Sequence, residues 1–455
     1  EICACLVGSE MCIRDRWMRG TQKWLSMLSL RPGWGRVGSQ PTDEYLFFSK
    51  YTGTDSYNGA NSIYPSNIRL SNLQWEEKET WNVGFDLGLF NNMITADFNI
   101  YTQMTSKLLM RDVKLPSSSG FSSLSWTNVG KMRNNGWEFN VNGTDVVKVG
   151  KFRLGFNVTF ANNKNEIVEM DPTALSSLNK DFDNKNGSYL TRIQLNNPFG
   201  AIYGFRYKGV YQYSDYSDVE VPGVSGPNAP VARDENGNVI RDKAGFTIPM
   251  VFGYDKTTNT ELYEFQGGDA IYEDINHDGN INELDIVYLG SSLPKITGGW
   301  GLKFSYGRWS LNAQFNFRVG NKVINEARMN AESMYNNNNQ AASVNWRWRT
   351  EGQLAEIPRA LYNKGFNYLG SDRFVEDASF MRLNYLSLGY SLNPKLLRRI
   401  GVTSLSINLN ASNLFCLTNY SGADPEVSYG GMNVATDGAK TPRSRQFTAR
   451  VQIGF

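Results

Sequence analysis

Over its last nine residues the chain alternates without a break. Phe447, Ala449, Val451, Ile453 and Phe455 fall on one face of an extended strand, and Thr448, Arg450, Gln452 and Gly454 fall on the other. The same period of two recurs at 81–89, 94–101, 137–141, 152–160, 300–306, 309–319 and 405–411. A weaker segment near 24–36 holds Pro32, which fits a strand end or an edge strand. Within 380–392 the alternation changes phase between Leu383 and Leu386, which predicts a β-bulge. The pattern therefore predicts about ten strands.

The faces opposite the apolar ones carry Asn, Asp, Arg, Lys, Gln, Gly and Thr over nearly whole strands. Runs of roughly 9–11 residues can cross a bilayer when tilted. Sandwich strands are shorter, with turn signals every ~8–12 residues. Short links are expected at 91–92, 144–150, 307–308 and about 393–402, and long ones at 37–73, 111–126, 164–294, 324–372 and 417–441. Short and long links alternate, as the periplasmic turns and external loops of an outer-membrane barrel do. That parity places AIYGFRYKGVYQY (201–213) inside the external excursion 164–294 and not across the membrane. Trp81, Trp137, Trp300 and Trp309 are expected near strand ends, as a girdle at the membrane interface. The expected fold is all-β: part of a transmembrane antiparallel β-barrel with long external loops. A second reading keeps the strands but makes the protein secreted and soluble, a β-rich carbohydrate-binding or carbohydrate-degrading protein. The two differ over what the apolar strand faces meet.

Composition adds limits. Of 455 residues, 13% are aromatic and 43 are Gly, and the formal net charge of +2 gives no support for nucleic-acid binding. Mean hydropathy is −0.43, and no apolar run approaches the ~18 residues of a membrane-spanning helix. Cys3, Cys5 and Cys12 crowd the start, and only Cys416 lies elsewhere. The stretch CLVGSEMCIRDR resembles a translated adapter sequence, so residues 1–16 are expected to be a non-native leader, with 17–455 the C-terminal part of a barrel. The chain does not begin with Met, and it is expected to be part of a longer protein.

The sharpest short motif is DINHDGNINELD at 274–285. Asp274, Asn276, Asp278, the Asn280 carbonyl, Asn282 and Asp285 stand at positions 1, 3, 5, 7, 9 and 12 of a calcium-loop spacing. Gly279 supplies the sharp turn and Ile281 the apolar eighth position. The flanks read as strands and not as paired helices. Either the loop binds Ca²⁺ and stiffens an external segment, or it is an Asx-rich turn without metal. His277, inside this loop, is the only histidine, which excludes a Ser-His-Asp or Cys-His site in this sequence. Carboxylate pairs such as Glu76/Glu77, Asp215/Asp218 and Asp274/Asp278 lie in polar, turn-like stretches, and no enzyme activity is expected.

Several stretches in order resemble one family. SNLQWEEKETWNVGFDLGLFNNMITADFNIYTQMTSKLLM (71–110), TNVGKMRNNGWEFNV (127–141), GDAIYEDINHDGNINELD (268–285), GSSLPKITGGWGLKFSYGRWSLNAQFNF (290–317), DASFMRLNYLSLGYSL (377–392) and PRSRQFTARVQIGF (442–455) are similar to SusC/RagA-type TonB-dependent transporters of Bacteroidetes. The resemblance implies a barrel of about 22 strands with an N-terminal plug, of which this chain holds the last ten, without the plug and the TonB-contacting motif. It implies the outer membrane, import of a large nutrient (an oligosaccharide, or sometimes a peptide), the TonB complex, and a SusD-like surface lipoprotein as partner. The calcium-like loop is itself frequent in the family. The terminal strand with its final Phe resembles the signal by which outer-membrane barrels are recognised for assembly. Tyr203, Tyr207, Tyr211, Trp346 and Trp348 are candidate ligand contacts, since flat aromatic faces beside Asn and Arg fit pyranose rings. Loop packing or a partner interface fits them equally.

Overall fold

The computed structural model describes residues 20–455 apart from 22, 58–59, 180–188, 191, 214–229, 254–262, 398–400 and 428–433. The segment 1–16 lies outside the described residues.

Ten strands pair in chain order into one antiparallel sheet. They are β1 (Leu25–Ser39), β2 (Glu76–Leu89), β3 (Ile94–Ser106), β4 (Gly130–Val149), β5 (Phe152–Met170), β6 (Ile296–Tyr306), β7 (Trp309–Val319), β8 (Phe380–Ser391), β9 (Ser404–Ser412) and β10 (Gln446–Gly454). A short strand, Cys416–Thr418, joins off this path against the start of β8. The expected bulge is present: Phe315 pairs with Leu383 and Gln314 with Tyr385, so Asn384 is the extra residue. Opposite it, Asn413 turns through a positive φ of 56° where β9 gives way to Cys416–Thr418. Leu383 and Leu386 therefore stay on the same face. Pro32 lies within β1, which pairs only with β2 among the described residues, so its missing N–H costs the ladder nothing on the open side.

The register keeps the two faces coherent across the sheet. Val83 lies opposite Ile100, Phe85 opposite Phe98, and Leu87 opposite Ala96. The apolar face is not covered by protein: Val83, Leu409 and Val451 are 50%, 53% and 58% exposed. Each such side chain left in water forgoes about 1.5–3 kcal/mol, so a continuous band of them across the sheet is the wall that meets lipid. The secreted, soluble reading is thereby corrected, because it requires this face to be buried against a core. The other face is polar and internally bonded. Arg31 donates to both Asp86 oxygens at 2.6 and 2.7 Å, Asn140 to Asp97 at 3.0 Å, and Gln314 to Asn157 at 3.1 Å. Gly84 makes this possible, since a Cβ there would sit 2.6 Å from the Asn99 side-chain oxygen and 3.1 Å from the Arg31 guanidinium.

The links alternate short and long. The short ones are 90–93, 150–151, 307–308 and 392–403; the long ones are 40–75, 107–129, 171–295, 320–379 and 413–445. Two expected boundaries move. The stretch 144–149 is strand, entered through a register shift between Gly143 and Val147. β5 continues to Met170, beyond the expected exit at 164, with Lys131 and Glu169 paired across it at 2.6 Å. At this end Ile167 and Met170 pack into an apolar cluster with Val113 and Val129, so the ladder outlasts the lipid-facing alternation. Trp81, Trp137 and Trp300 lie inside their strands, and only Trp309 stands at a strand end. Trp300 stacks on Phe315 at 3.9 Å, and Trp81 meets Trp34 at 6.1 Å.

Candidate functional site

As the parity of links required, AIYGFRYKGVYQY does not enter the barrel sheet. It forms two short strands, Ala201–Gly204 and Tyr207–Val210, which pair with Val287–Ser291 and Ala270–Tyr272. Their side chains build an apolar core outside the barrel wall, with Phe205, Phe252, Phe265, Tyr272 and Leu369 at its centre. This core joins the β5–β6 connection to the β7–β8 connection. Phe205 N–H donates to the Gly370 carbonyl at 2.9 Å and Asp372 N–H to the Phe205 carbonyl at 3.0 Å. Tyr272 donates its hydroxyl to the Phe366 carbonyl at 2.8 Å, and Phe252 stacks on Phe366 at 4.1 Å.

That core decides the fate of the aromatic candidates. Tyr203, Tyr211 and Trp348 are buried. The Tyr203 hydroxyl accepts from Asn197 at 2.9 Å, and the Trp348 indole donates to Gln212 at 3.0 Å. A Cβ on Gly268 would lie 2.4 Å from the Trp348 ring, so the indole is closely packed there. These three side chains pack the external unit and have no face left for a ligand, which corrects their assignment as ligand contacts. Tyr207 and Trp346 differ. Both line a pocket of about 770 Å³, formed with Arg328, Glu332, Leu354, Glu356, Asp372 and Arg373.

Trp346 is 78% exposed, so its indole is open to a ligand. Tyr207 is fixed: its hydroxyl donates to the Glu356 carbonyl at 2.7 Å and its N–H to Asp372 at 2.8 Å. The Arg373 guanidinium lies 5.4 Å from its ring centre. Burial pushes the Tyr207 phenol up to about 12, so it stays a neutral donor at physiological pH. Also in the lining, Arg328 and Glu332 sit four residues apart on the helix Glu326–Glu332, capped by the Asn325 side chain accepting from Arg328 N–H. Glu332 receives Arg328 at 3.2 Å, Arg373 at 2.7 Å and the Ser343 hydroxyl at 2.9 Å. Sequence reasoning missed Glu332, Glu356, Asp372 and Arg373. The only local signal was the Arg328/Glu332 helical spacing.

The loop 274–285 also belongs to this external unit. Gly279 takes φ +79° and Ile281 is fully buried, as the sixth and eighth positions require. Asp274 accepts from the N–H groups of Asp278 and Gly279 at 3.3 and 2.8 Å, and Asp278 from Asn280 N–H at 2.8 Å. Asp285, fully buried, accepts from Ile275 and Asn282 N–H at 2.8 and 2.9 Å. Burial pushes its carboxyl up to about 6 against those N–H bonds, with the Asp274 and Asp278 charges adding to the rise. Asn282 and Asp285 form a reciprocal cap on the turn Glu283–Asp285. The donor set of Asp274, Asn276, Asp278, Asn280, Asn282 and Asp285 is all oxygen, the kind Ca²⁺ takes. The Asn280 side-chain oxygen is buried with no hydrogen-bond partner among the described residues, which leaves one acceptor over. Among the described residues no three His, Cys, Asp or Glu side chains converge as a metal cluster.

With a lipid-facing antiparallel wall and a folded external unit established, comparison with known proteins is decisive. Residues 21–248 match the family model described as TonB dependent receptor-like, beta-barrel. The chain belongs to the TonB-dependent receptor family. Among TonB-dependent receptors, P39 of Formosa agariphila is 26% identical over 447 residues, covering 95% of this chain and 41% of the relative. SusC of Bacteroides thetaiotaomicron is 25% identical over 448 residues, covering 95% of this chain and 38% of SusC. The chain thus spans about two fifths of the length of these relatives. The solved RagAB peptide transporter superposes with a TM-score of 0.69 at 24% identity, covering 97% of this chain and 42% of that one. TonB-dependent receptor barrels reside in the outer membrane, where the exposed band of Val83, Leu409 and Val451 meets its lipid.

Proposed function

We propose that residues 17–455 are the C-terminal part of a larger barrel that imports a large nutrient, an oligosaccharide, across the outer membrane. Import draws on the TonB complex through a part of the protein outside this chain, and a SusD-like surface lipoprotein covers the external connections. The observation that carries this reading is the lipid-facing wall of a TonB-dependent receptor barrel bearing a folded external unit with an open pocket. Trp346 supports the oligosaccharide, because an exposed indole beside carboxylates and guanidinium groups suits the flat C–H faces and hydroxyls of sugars.

Deleting the gene in the native host and complementing it with the parent protein tests import. Labelled oligosaccharide uptake that is lost on deletion and restored only with an intact TonB system is expected. Unchanged uptake of every oligosaccharide would contradict the reading. Co-purification from the outer membrane tests the lipoprotein, which should travel with the barrel in detergent.

The loop 274–285 is proposed as a Ca²⁺ position that stiffens the external unit, supported by its spacing, its positive-φ glycine and its all-oxygen donors. Calorimetry on the parent protein should show Ca²⁺-dependent heat that Asp274→Ala and Asp278→Ala remove. No such heat in the unmutated protein would end the proposal.

A further inference from the structure

Resting on the oligosaccharide reading above, we infer that the pocket at Tyr207 and Trp346 selects neutral oligosaccharides and rejects those bearing uronate or sulfate groups.

The charges on its wall are unequal in availability. The guanidinium groups are already matched. Arg373 is buried and 2.7 Å from Glu332, and Arg328 lies 3.2 Å from both Glu332 and Glu376, while the half-exposed Lys208 shares Glu273 with Arg206 at 2.9 and 3.0 Å. Two carboxylates remain open to the cavity. Asp372 is exposed and takes only the Tyr207 N–H on one oxygen, and exposed Glu356 has no side-chain partner among the described residues. An anionic sugar would find no free guanidinium and would face both carboxylates as like charges. A lysine-rich peptide would be drawn to the same two carboxylates, which is why it stands among the probes below. A neutral sugar escapes the like-charge penalty: its hydroxyls donate to Asp372 and Glu356, and charged acceptors make the stronger hydrogen bonds. Trp346 supplies the flat apolar surface for the ring C–H groups, as aromatic faces do for apolar partners. Because Tyr207 is held by Glu356, Asp372 and Arg373, the wall is rigid before the ligand arrives.

The test uses the parent protein purified in detergent and titrated calorimetrically with a set of probes. These are hexasaccharides of glucose, mannose and xylose, a hexauronate, a sulfated hexasaccharide and a lysine-rich hexapeptide. At least one neutral hexasaccharide should bind about tenfold or more tightly than the hexauronate and the sulfated probe. The isosteric pair Asp372→Asn with Glu356→Gln should narrow that gap to about twofold, a change in preference that a purely structural role would not produce. Glu356→Gln alone, at an exposed side chain, should narrow it part-way without disturbing the fold. Equal or tighter binding of the anionic probes by the unmutated protein overturns the inference, as does a gap unchanged in both variants. Binding of the peptide but of no sugar, or of no probe, overturns the oligosaccharide reading itself and this inference with it.

Discussion

Arg359 and Asp269 stand 90 residues apart in the chain and meet in a two-point ion pair of 2.7 and 3.2 Å inside the external unit. Asp269 is fully buried and also accepts from the Asn367 side chain at 3.2 Å and the Tyr263 hydroxyl at 2.7 Å. The pair clamps the β5–β6 connection to the β7–β8 connection, and the pocket lies between the same two segments. Asp269→Ala should therefore loosen the unit by about 3 kcal/mol, the cost of leaving a desolvated guanidinium without its carboxylate. Hydrogen exchange on the parent protein should show faster exchange at 263–272 and 357–370, with β2 to β5 unchanged. Unchanged protection in those two segments would contradict the clamp.

The two faces of the wall should answer differently to the same charge. Phe85→Arg or Leu409→Arg places a guanidinium on the lipid side, at about 2–4 kcal/mol near the bilayer midplane. Gln452→Arg or Asn408→Arg places it on the polar side, at about 0–1 kcal/mol, the cost of an ordinary surface change. Heat-modified mobility on gels reads this directly: the outward variants should unfold at lower temperature and assemble poorly, and the inward ones should behave as the unmutated barrel.

Gly279 holds the tip of the oxygen-rich loop at φ +79°, and a Cβ there would lie 2.7 Å from the Ala232 Cβ. Gly279→Ala should cost about 1–2 kcal/mol for the left-handed backbone alone, plus the clash. The loop packs on the 230–250 segment through this contact and through the hydrogen bond of 3.1 Å between His277 Nδ1 and the Arg233 carbonyl. Exchange should therefore quicken in both segments together. Quickening confined to 274–285 would show that the two are not coupled.

Acid should release the last long connection. Buried Arg382 on β8 meets Asp424 at 2.5 Å. Burial pushes the Asp424 carboxyl up, but the N–H groups of Glu426 and Arg443 and the Arg382 charge outweigh it and hold it below its ordinary value. A depressed carboxyl stabilises the fold above the unfolded value of about 3.9 and loses that contribution as pH falls through its native value. Limited proteolysis of 413–427 should be the same at pH 7 and pH 5 and should increase near pH 3. Release already between pH 7 and pH 5 would contradict the assignment.

The barrel wall was readable because a period of two survives in each strand, and even the Asn384 bulge announced itself as a phase change between Leu383 and Leu386. Strand ends were less readable. β5 runs on to Met170 through Asn162, Asn163 and Lys164, polar residues that interrupt the apolar signal but not the ladder. The pocket was half readable. Trp346 and Tyr207 stand out as aromatics beside Asn and Arg in the external connections, but nothing local separates them from Tyr203, Tyr211 and Trp348, which the fold buries. Exposure in the external unit is set by contacts between segments more than a hundred residues apart, such as Tyr207 with Asp372, 165 residues away. Charged partners met only through such contacts leave no pattern along the chain.

The central claim is that the apolar face of this sheet meets lipid and the polar face does not. Single spin labels placed in turn at residues 404–412 of the parent protein, reconstituted in a bilayer, test it through oxygen and nickel-chelate accessibility. Labels at Leu405, Ile407, Leu409 and Ala411 should be reached by oxygen and shielded from the chelate, and labels at Ser406, Asn408 and Asn410 should show the reverse. Accessibility that does not alternate, or chelate reaching the apolar positions, would contradict the account.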